Sequence, residues 1–259
     1  MALSIVTWNV NSIRARHDRV LAFLDRHDPD IVCLQETKVE DADFPVEAIT
    51  EAGYHAVIHG QRTYNGVAIL SKQPATNVVM GLPGEPEDEQ ARLIAADIGG
   101  LRIVDVYVPN GRTVTDDDKY PYKLRWLNRL ESFLADEIGA GKSVVLCGDY
   151  NIAPTDDDVA KPERWANSVL CHHKVRDAFG RLVAMGLNDA VRARIPEVPG
   201  PYSWWDYRRL AFPKGDGLRI DHILVTADVL ARTTGAFVDR DERKGKQPSD
   251  HAPVFVQLD

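Results

Sequence analysis

Short β-branched runs, apolar at most positions, recur along the chain at residues 5–8, 31–34, 55–59, 67–70, 93–98, 101–108, 144–147, 220–225 and 253–258. A strand with one solvated face alternates apolar and polar residues, and a strand covered on both faces loses that alternation. Several of these runs therefore predict strands with material packed on both sides. Between some of them apolar residues return at helical spacing. Residues 14–26 carry Val20, Leu21, Phe23 and Leu24, and residues 119–138 carry Leu124, Leu127, Leu130, Phe133, Leu134 and Ile138. Residues 175–185 are a third candidate helix. Proline and glycine gather at 81–86, 154–162 and 196–201, which predicts loops there. None of these loops has the length or low complexity of an interdomain linker, and no repeat of fixed period is present. Strands in hairpin-like pairs with intervening helices predict two sheets packed face to face with helices outside, rather than a doubly wound parallel sheet.

Composition narrows the class. A chain of 259 residues with 44% hydrophobic and 27% charged residues has the makings of a folded core, which a disordered chain lacks. No apolar run approaches the ~18 residues of a membrane span. Residues 1–6 read as the start of a strand, without the basic region and cleavage site of a secretory leader, so a cytoplasmic location of the bacterial type is expected. Cys33 and Cys147 lie in apolar runs and Cys171 stands apart, which argues against a disulfide framework or a zinc site. Buried thiols in a reducing compartment are expected instead. The net charge of −8 weighs against tight, non-specific nucleic-acid binding. Local basic clusters nevertheless occur at Arg14/Arg16/Arg19, Arg208/Arg209 and Arg240/Arg243/Lys244/Lys246, while the acidic stretches 85–89, 116–118 and 156–158 read as solvated loops. A protein that binds cations beside phosphates also carries extra carboxylates, so a DNA substrate remains open.

The chemistry gathers where buried strands end. The run 5–8 leads into Asn9-Val10-Asn11, 31–34 into Gln35-Glu36, 101–108 into Pro109-Asn110-Gly111, and 144–147 into Gly148-Asp149-Tyr150-Asn151. Ser249-Asp250-His251 precedes the last strand. A single polar residue after a strand is ordinarily the start of a turn. Together they supply Glu36, Asp149 and Asp250 as hard oxygen ligands suited to Mg²⁺, Asn9, Asn11 and Asn151 as neutral orienting groups, and His251 as a titrating group. That inventory suits metal-assisted phosphate hydrolysis. Neighbouring side chains in extended backbone point to opposite sides, so Asp250 is a poor orienter of His251, and Asp221 on another strand is the natural candidate.

Thr7-Trp8-Asn9-Val10-Asn11, Leu34-Gln35-Glu36-Thr37-Lys38, Tyr107-Val108-Pro109-Asn110, Gly148-Asp149-Tyr150-Asn151-Ile152, Ser203-Trp204-Trp205-Asp206-Tyr207-Arg208, Leu218-Arg219-Ile220-Asp221 and Ser249-Asp250-His251-Ala252-Pro253-Val254 occur in this order. In these motifs the chain resembles the exodeoxyribonuclease III/abasic-site endonuclease family of the endonuclease/exonuclease/phosphatase superfamily. The resemblance implies one catalytic domain over 1–259, folded as a four-layered α/β sandwich of two mixed sheets flanked by helices. It implies Mg²⁺ or Mn²⁺ at Glu36, with Asn9, Asp250, Asp149 and Asn151 in the metal site. It implies that Asp149 activates water or protonates the leaving group, that Asn151 holds the phosphate with Tyr107 against it, and that His251, oriented by Asp221, stabilises phosphoryl charge. Asn11, Asn110, Arg112, Trp204 and Arg208 become substrate contacts, Trp204 lining the pocket for a base-less sugar. The expected activity is incision of duplex DNA 5′ to abasic sites with 3′→5′ exonuclease and 3′-phosphatase action, by a monomer. Two other readings stand beside it. One is another metal-dependent phosphoesterase of the superfamily, whose secreted DNase members carry a signal peptide, a disulfide and a second catalytic histidine where Tyr107 stands. The other is a catalytically silent DNA-binding scaffold.

Overall fold

In the computed structural model, which describes residues 3–84 and 88–259, the chain forms twelve strands. They are β1 (Leu3–Asn9), β2 (Ile31–Gln35), β3 (His55–His59), β4 (Val67–Ser71), β5 (Thr76–Met80), β6 (Leu93–Ile98), β7 (Leu101–Tyr107), β8 (Val144–Asp149), β9 (Asn188–Asp189), β10 (Asp221–Val225), β11 (Thr233–Val238) and β12 (Val254–Leu258). Residues 1–2 of the expected first strand, and 85–87 of the expected loops 81–86 and 85–89, lie outside the described residues.

One sheet runs β11-β12-β1-β2-β4-β3 and the other β5-β6-β7-β8-β10-β9. Each is built around one parallel pair, β1/β2 and β7/β8, and every other neighbour is antiparallel. Successive side chains point to opposite faces. In β1, Ile5 joins the apolar layer between the sheets, while Val6 and Trp8 pack outward beneath the helix His17–His27. In β8, Val145 and Cys147 face the other sheet, while Val144 and Leu146 face the helices Lys119–Gly139 and His173–Ala184. The result is helix, sheet, sheet, helix, and it accounts for the unbroken apolar runs. Burying each such side chain contributes about 1.5–3 kcal/mol.

The sequence pattern does not announce β5, β9 or β11. β5 is exposed at four of its five positions, so it has no apolar face to read. β9 is two residues long, and β11 is an edge strand with a register shift near Gly235. The helix expected from residue 14 begins at His17, after a turn. The expectation that 156–158 is a solvated loop is corrected at Asp158. Its carboxylate is buried and bonded to Arg219 Nε and Arg192 Nη2, both at 2.7 Å, and it caps its own turn through Thr155. Gly148 is required where β8 passes β7. Its φ is 149°, and a Cβ there would stand 1.9 Å from the Val106 carbonyl oxygen.

His222 in β10 is fully buried, donates from Nε2 to the Ile152 carbonyl at 2.9 Å, and lies against Tyr150 and Phe179. Burial, helped by the Arg219 charge, lowers its pKa to about 4. The folded state therefore binds fewer protons than the unfolded one between pH 4 and 6.5, and stability is lost as pH falls through that window. The loss is about 3 kcal/mol. Urea unfolding of wild type and His222→Gln should show wild type losing that much more between pH 6.5 and 4. Parallel profiles would contradict the assignment.

Candidate active site

The two parallel pairs bring four strand ends to one edge of the sandwich. Asn9 ends β1 opposite Gln35, Tyr107 ends β7 opposite Asp149, and Asp221 opens β10 on the other side of Asp149. Beyond three of these strands the chain turns through left-handed backbone, at Asn11 (φ 47°), Glu36 (φ 53°) and Asn151 (φ 49°). Asparagine adopts that region readily and glutamate does not, so Glu36 stores local strain. Its backbone is held by Ser12 N–H, which donates to Glu36 O at 2.7 Å. The segment 249–252 closes the site from the last strand. Ser249 Oγ donates to Asn9 O at 2.6 Å, and Trp205 N–H donates to Asp250 O at 3.0 Å.

At this edge the side-chain oxygens of Glu36 and Asp149 and a ring nitrogen of His251 lie within 4.8 Å of one another. Asn9 Nδ2 donates to Glu36 Oε1 at 2.8 Å and to Asp149 Oδ2 at 2.9 Å. Asp149 Oδ1 accepts from Asn151 N–H at 2.9 Å, and Asp149 Oδ2 stands 3.7 Å from His251 Nε2. The other ring nitrogen, Nδ1, lies 2.9 Å from Asp221 Oδ2, and Ser203 Oγ donates to that same oxygen at 2.6 Å. Burial alone would lower the His251 pKa. The carboxylates of Asp221 and Asp149 outweigh it and raise the pKa well above the usual histidine range, so the ring is an imidazolium. Burial raises the Asp149 pKa, His251 opposes this, and the Asp221 charge adds to it. Burial also raises the Tyr107 pKa, and Glu36 adds to the effect, so the phenol keeps its proton, while Arg92 stacks 4.7 Å from the ring centre.

Of these groups Glu36, Tyr107, Asp149, Asn151 and His251 line a cavity of about 600 Å³. Of the residues expected in the metal site, Glu36 and Asp149 come together. Asn9 turns its amide nitrogen toward both carboxylates, because its Oδ1 accepts from Asn11 N–H at 2.9 Å. Asn151 likewise gives Nδ2 to Val108 O and Asp149 Oδ2. Asp250 lies outside the trio, its oxygens accepting from Asn11 Nδ2 at 2.9 Å and Trp204 Nε1 at 3.0 Å. Among the expected substrate contacts, Asn110 lines the cavity and bonds Asn151 Oδ1 at 2.9 Å. Trp204 lines it too, edge-on to Trp165 at 5.7 Å, while Trp205 is core. Arg112 and Arg208 are on its rim with side chains 79% and 84% exposed, Arg112 lying 3.7 Å from Asp116 and Arg208 held by Asp206 at 2.9 Å. Asn11 is half-buried and does not line the cavity, its side chain bonded to Asp250 and Lys38.

Sequence reasoning gave no role to Lys38, Ser203 or Trp165. Lys38 Nζ bridges Glu36 Oε2 (2.7 Å) and Asn11 Oδ1 (2.6 Å). Lys38 and Ser203 lie inside the motifs 34–38 and 203–208, and the need of Glu36 and Asp221 for polar partners is the signal that points to them. Trp165 carries no local signal.

Residues 6–251 match the Endonuclease/Exonuclease/phosphatase family. The chain is 34% identical to exodeoxyribonuclease III of Haemophilus influenzae over 266 residues, covering 99% of this chain and 100% of that protein. It is similar in structure to a 3′ phosphatase from Neisseria bound to product DNA hairpin, with a TM-score of 0.96, 42% identity and 99% of each chain covered. An AP endonuclease from Archaeoglobus fulgidus gives a TM-score of 0.95 at 40% identity, again over 99% of each chain.

The electrostatic assignment has a direct readout. In metal-free protein the His251 ring should stay doubly protonated at pH 8, seen by NMR of ¹⁵N-labelled imidazoles. Asp221→Asn should move its titration downward, because the neighbouring negative charge is removed. A neutral ring at pH 7 in wild type would contradict the imidazolium.

Proposed function

We propose, from the premise that the chain belongs to the Endonuclease/Exonuclease/phosphatase family, that it is a metal-dependent nuclease of the exodeoxyribonuclease III/AP endonuclease type. Its substrate is duplex DNA. It incises 5′ to abasic sites and removes nucleotides or blocking groups from 3′ ends. The observation that carries this reading is the convergence of Glu36, Asp149 and His251 within 4.8 Å at the wall of an open cavity. The named activities of the exodeoxyribonuclease, 3′ phosphatase and AP endonuclease relatives support it.

The donor set fits a hard divalent cation, Mg²⁺ or Mn²⁺. Glu36 and Asp149 offer carboxylate oxygens side by side, Asn9 and Asn151 shape the pair through hydrogen bonds, and Asp250 stands beside them on Asn11. When bound, the cation supplies charge neutralisation at the phosphoryl group and lowers the pKa of a water. The chain's own groups do the rest. His251 Nε2–H donates to a phosphoryl oxygen as negative charge develops there, with Asp221 holding the ring. Asp149 moves a proton at the attacking water or the leaving oxygen. Tyr107 offers the phosphate its O–H, and Asn151 the Nδ2–H that makes the long 3.3 Å bond to Asp149 Oδ2. Trp204, braced by Trp165, walls the space for the sugar, and Arg112 and Arg208 meet flanking phosphates.

The net charge of −8 is compatible with a DNA partner because the basic residues are gathered. Arg14, Arg16, Arg19, Arg26 and Lys246 line one cleft of about 560 Å³ together with Asp18 and Glu242, five basic groups against two acidic ones, joining clusters from the two ends of the chain. Arg16 reaches the catalytic edge by donating to Asn11 O. Residues from Asn9 to His251 converge at one edge of the sandwich, which supports a single catalytic domain over 1–259, and a monomer is the proposed state. Three free buried cysteines support the cytoplasm, and no helix among the described residues is long and apolar enough to cross a membrane.

The experiment is incubation with a duplex carrying one tetrahydrofuran abasic analogue, and with recessed and 3′-phosphate ends, in Mg²⁺ or EDTA. Metal-dependent incision 5′ to the analogue and release from 3′ ends are expected. Glu36→Gln should lower the rate at low Mg²⁺ on the order of 100-fold and recover partly as Mg²⁺ rises. Wild-type rates at low Mg²⁺ would remove Glu36 from the metal site, and no turnover of any duplex would overturn the function.

A further inference from the structure

Lys123 lies in the second turn of the helix Lys119–Gly139 and is fully buried. Lysine is almost never fully buried without a partner charge. No carboxylate among the described residues comes within ion-pair distance of Lys123. Its Nζ donates instead to three backbone carbonyls, those of Asn151 at 2.7 Å, Val169 at 3.1 Å and Asn110 at 3.2 Å. Burial pulls its pKa down to about 7, with the Asp149 charge acting against this, and the geometry favours the charged form: an ammonium has three donors, and here each has an acceptor.

The three carbonyls belong to three separate segments: the loop after β7, the loop after β8, and the stretch following Trp165. Asn110, Asn151 and Val169 all line the catalytic cavity. Two of these segments are joined again on the cavity side, where Asn110 Nδ2 donates to Asn151 Oδ1 at 2.9 Å. Asn151 passes the connection on, its N–H and Nδ2 reaching Asp149 at 2.9 and 3.3 Å. The fit is close, since a Cβ on Gly111 would stand 3.1 Å from Lys123 Cδ.

We propose that Lys123 is a positioning residue for phosphodiester hydrolysis: its ammonium clamps the backbones of Asn110, Asn151 and Val169 and so fixes the Asn110–Asn151–Asp149 chain. The inference rests on the nuclease reading of the site. A stabilising role alone explains the residue poorly. A buried charge is costly, and an apolar side chain of similar volume often serves stability as well or better. What only the ammonium supplies is a single point from which three loops are held in register.

Lys123→Met keeps the length and removes the donors. On duplex with a tetrahydrofuran site, kcat per folded molecule should fall on the order of 100-fold, the cost of a misplacement near 1 Å, with KM nearly unchanged. Lys123→Gln keeps two donors and should fall between Met and wild type, and it carries the test if the Met variant does not fold. Because Lys123 acts through Asn110 and Asn151, Lys123→Met combined with Asn110→Ala should cost little more than the worse single variant. A kcat per folded molecule within about threefold of wild type, or additive effects in the cycle, would overturn the proposal. Glu36→Gln in the same assay separates the two levels. If it turns over normally, the reading of the site fails; if it is crippled while the Lys123 variants are normal, only the clamp fails.

Discussion

The carboxamide of Asn9 joins the two sheets at the point where the chemistry sits. Its one nitrogen donates to Glu36, which follows β2, and to Asp149, which ends β8 in the other sheet. Two carboxylates this close repel unless something lies between or beside them. Asn9 Nδ2 lies between them, Lys38 Nζ lies on Glu36, and the His251 imidazolium lies beside Asp149. Each of these groups is in turn held. Asn11 fixes the Asn9 oxygen, and Asp221 with Ser203 fixes the ring of His251. A hydrolytic site for a phosphodiester needs negative groups for a cation and positive donors for the phosphoryl oxygens within a few ångströms. The inter-sheet contact permits both.

That contact depends on topology more than on any single side chain. A parallel pair presents two carboxy-terminal ends side by side, and packing two such pairs face to face brings four ends to one edge. The antiparallel neighbours β10 and β12 then bring the starts of their strands to the same place, which is how Asp221 and His251 arrive from late in the sequence. The close passage of β7 and β8 at Gly148 places Tyr107 beside Asp149 without a side chain in the way.

Much of this was legible in the residues. Apolar runs without alternation reported strands covered on both faces, and the polar groups that followed them reported the functional edge. Adjacency of Asp250 and His251 alone pointed to a carboxylate on another strand, and Asp221 stands there. The illegible parts have physical reasons. An edge strand such as β5 buries too little to leave a pattern. Whether an asparagine offers its oxygen or its nitrogen depends on what holds the carboxamide, the Asn11 N–H at Asn9 and the Asn110 side chain at Asn151, which no motif encodes, and both turn a donor toward Asp149. Lys123 interrupts an otherwise apolar helix face, and nothing local shows its role because its acceptors come from three distant loops.

The central claim is that Asp149 belongs to the reacting centre and not to DNA recognition. The most direct measurement is Asp149→Asn, with kcat on a tetrahydrofuran duplex in Mg²⁺ and Kd for the same duplex in Ca²⁺. A group that acts in the transition state lowers kcat and leaves ground-state binding nearly intact. The account expects kcat to fall by at least about 1000-fold with Kd within a few-fold of wild type. Lost binding with kcat retained would contradict it.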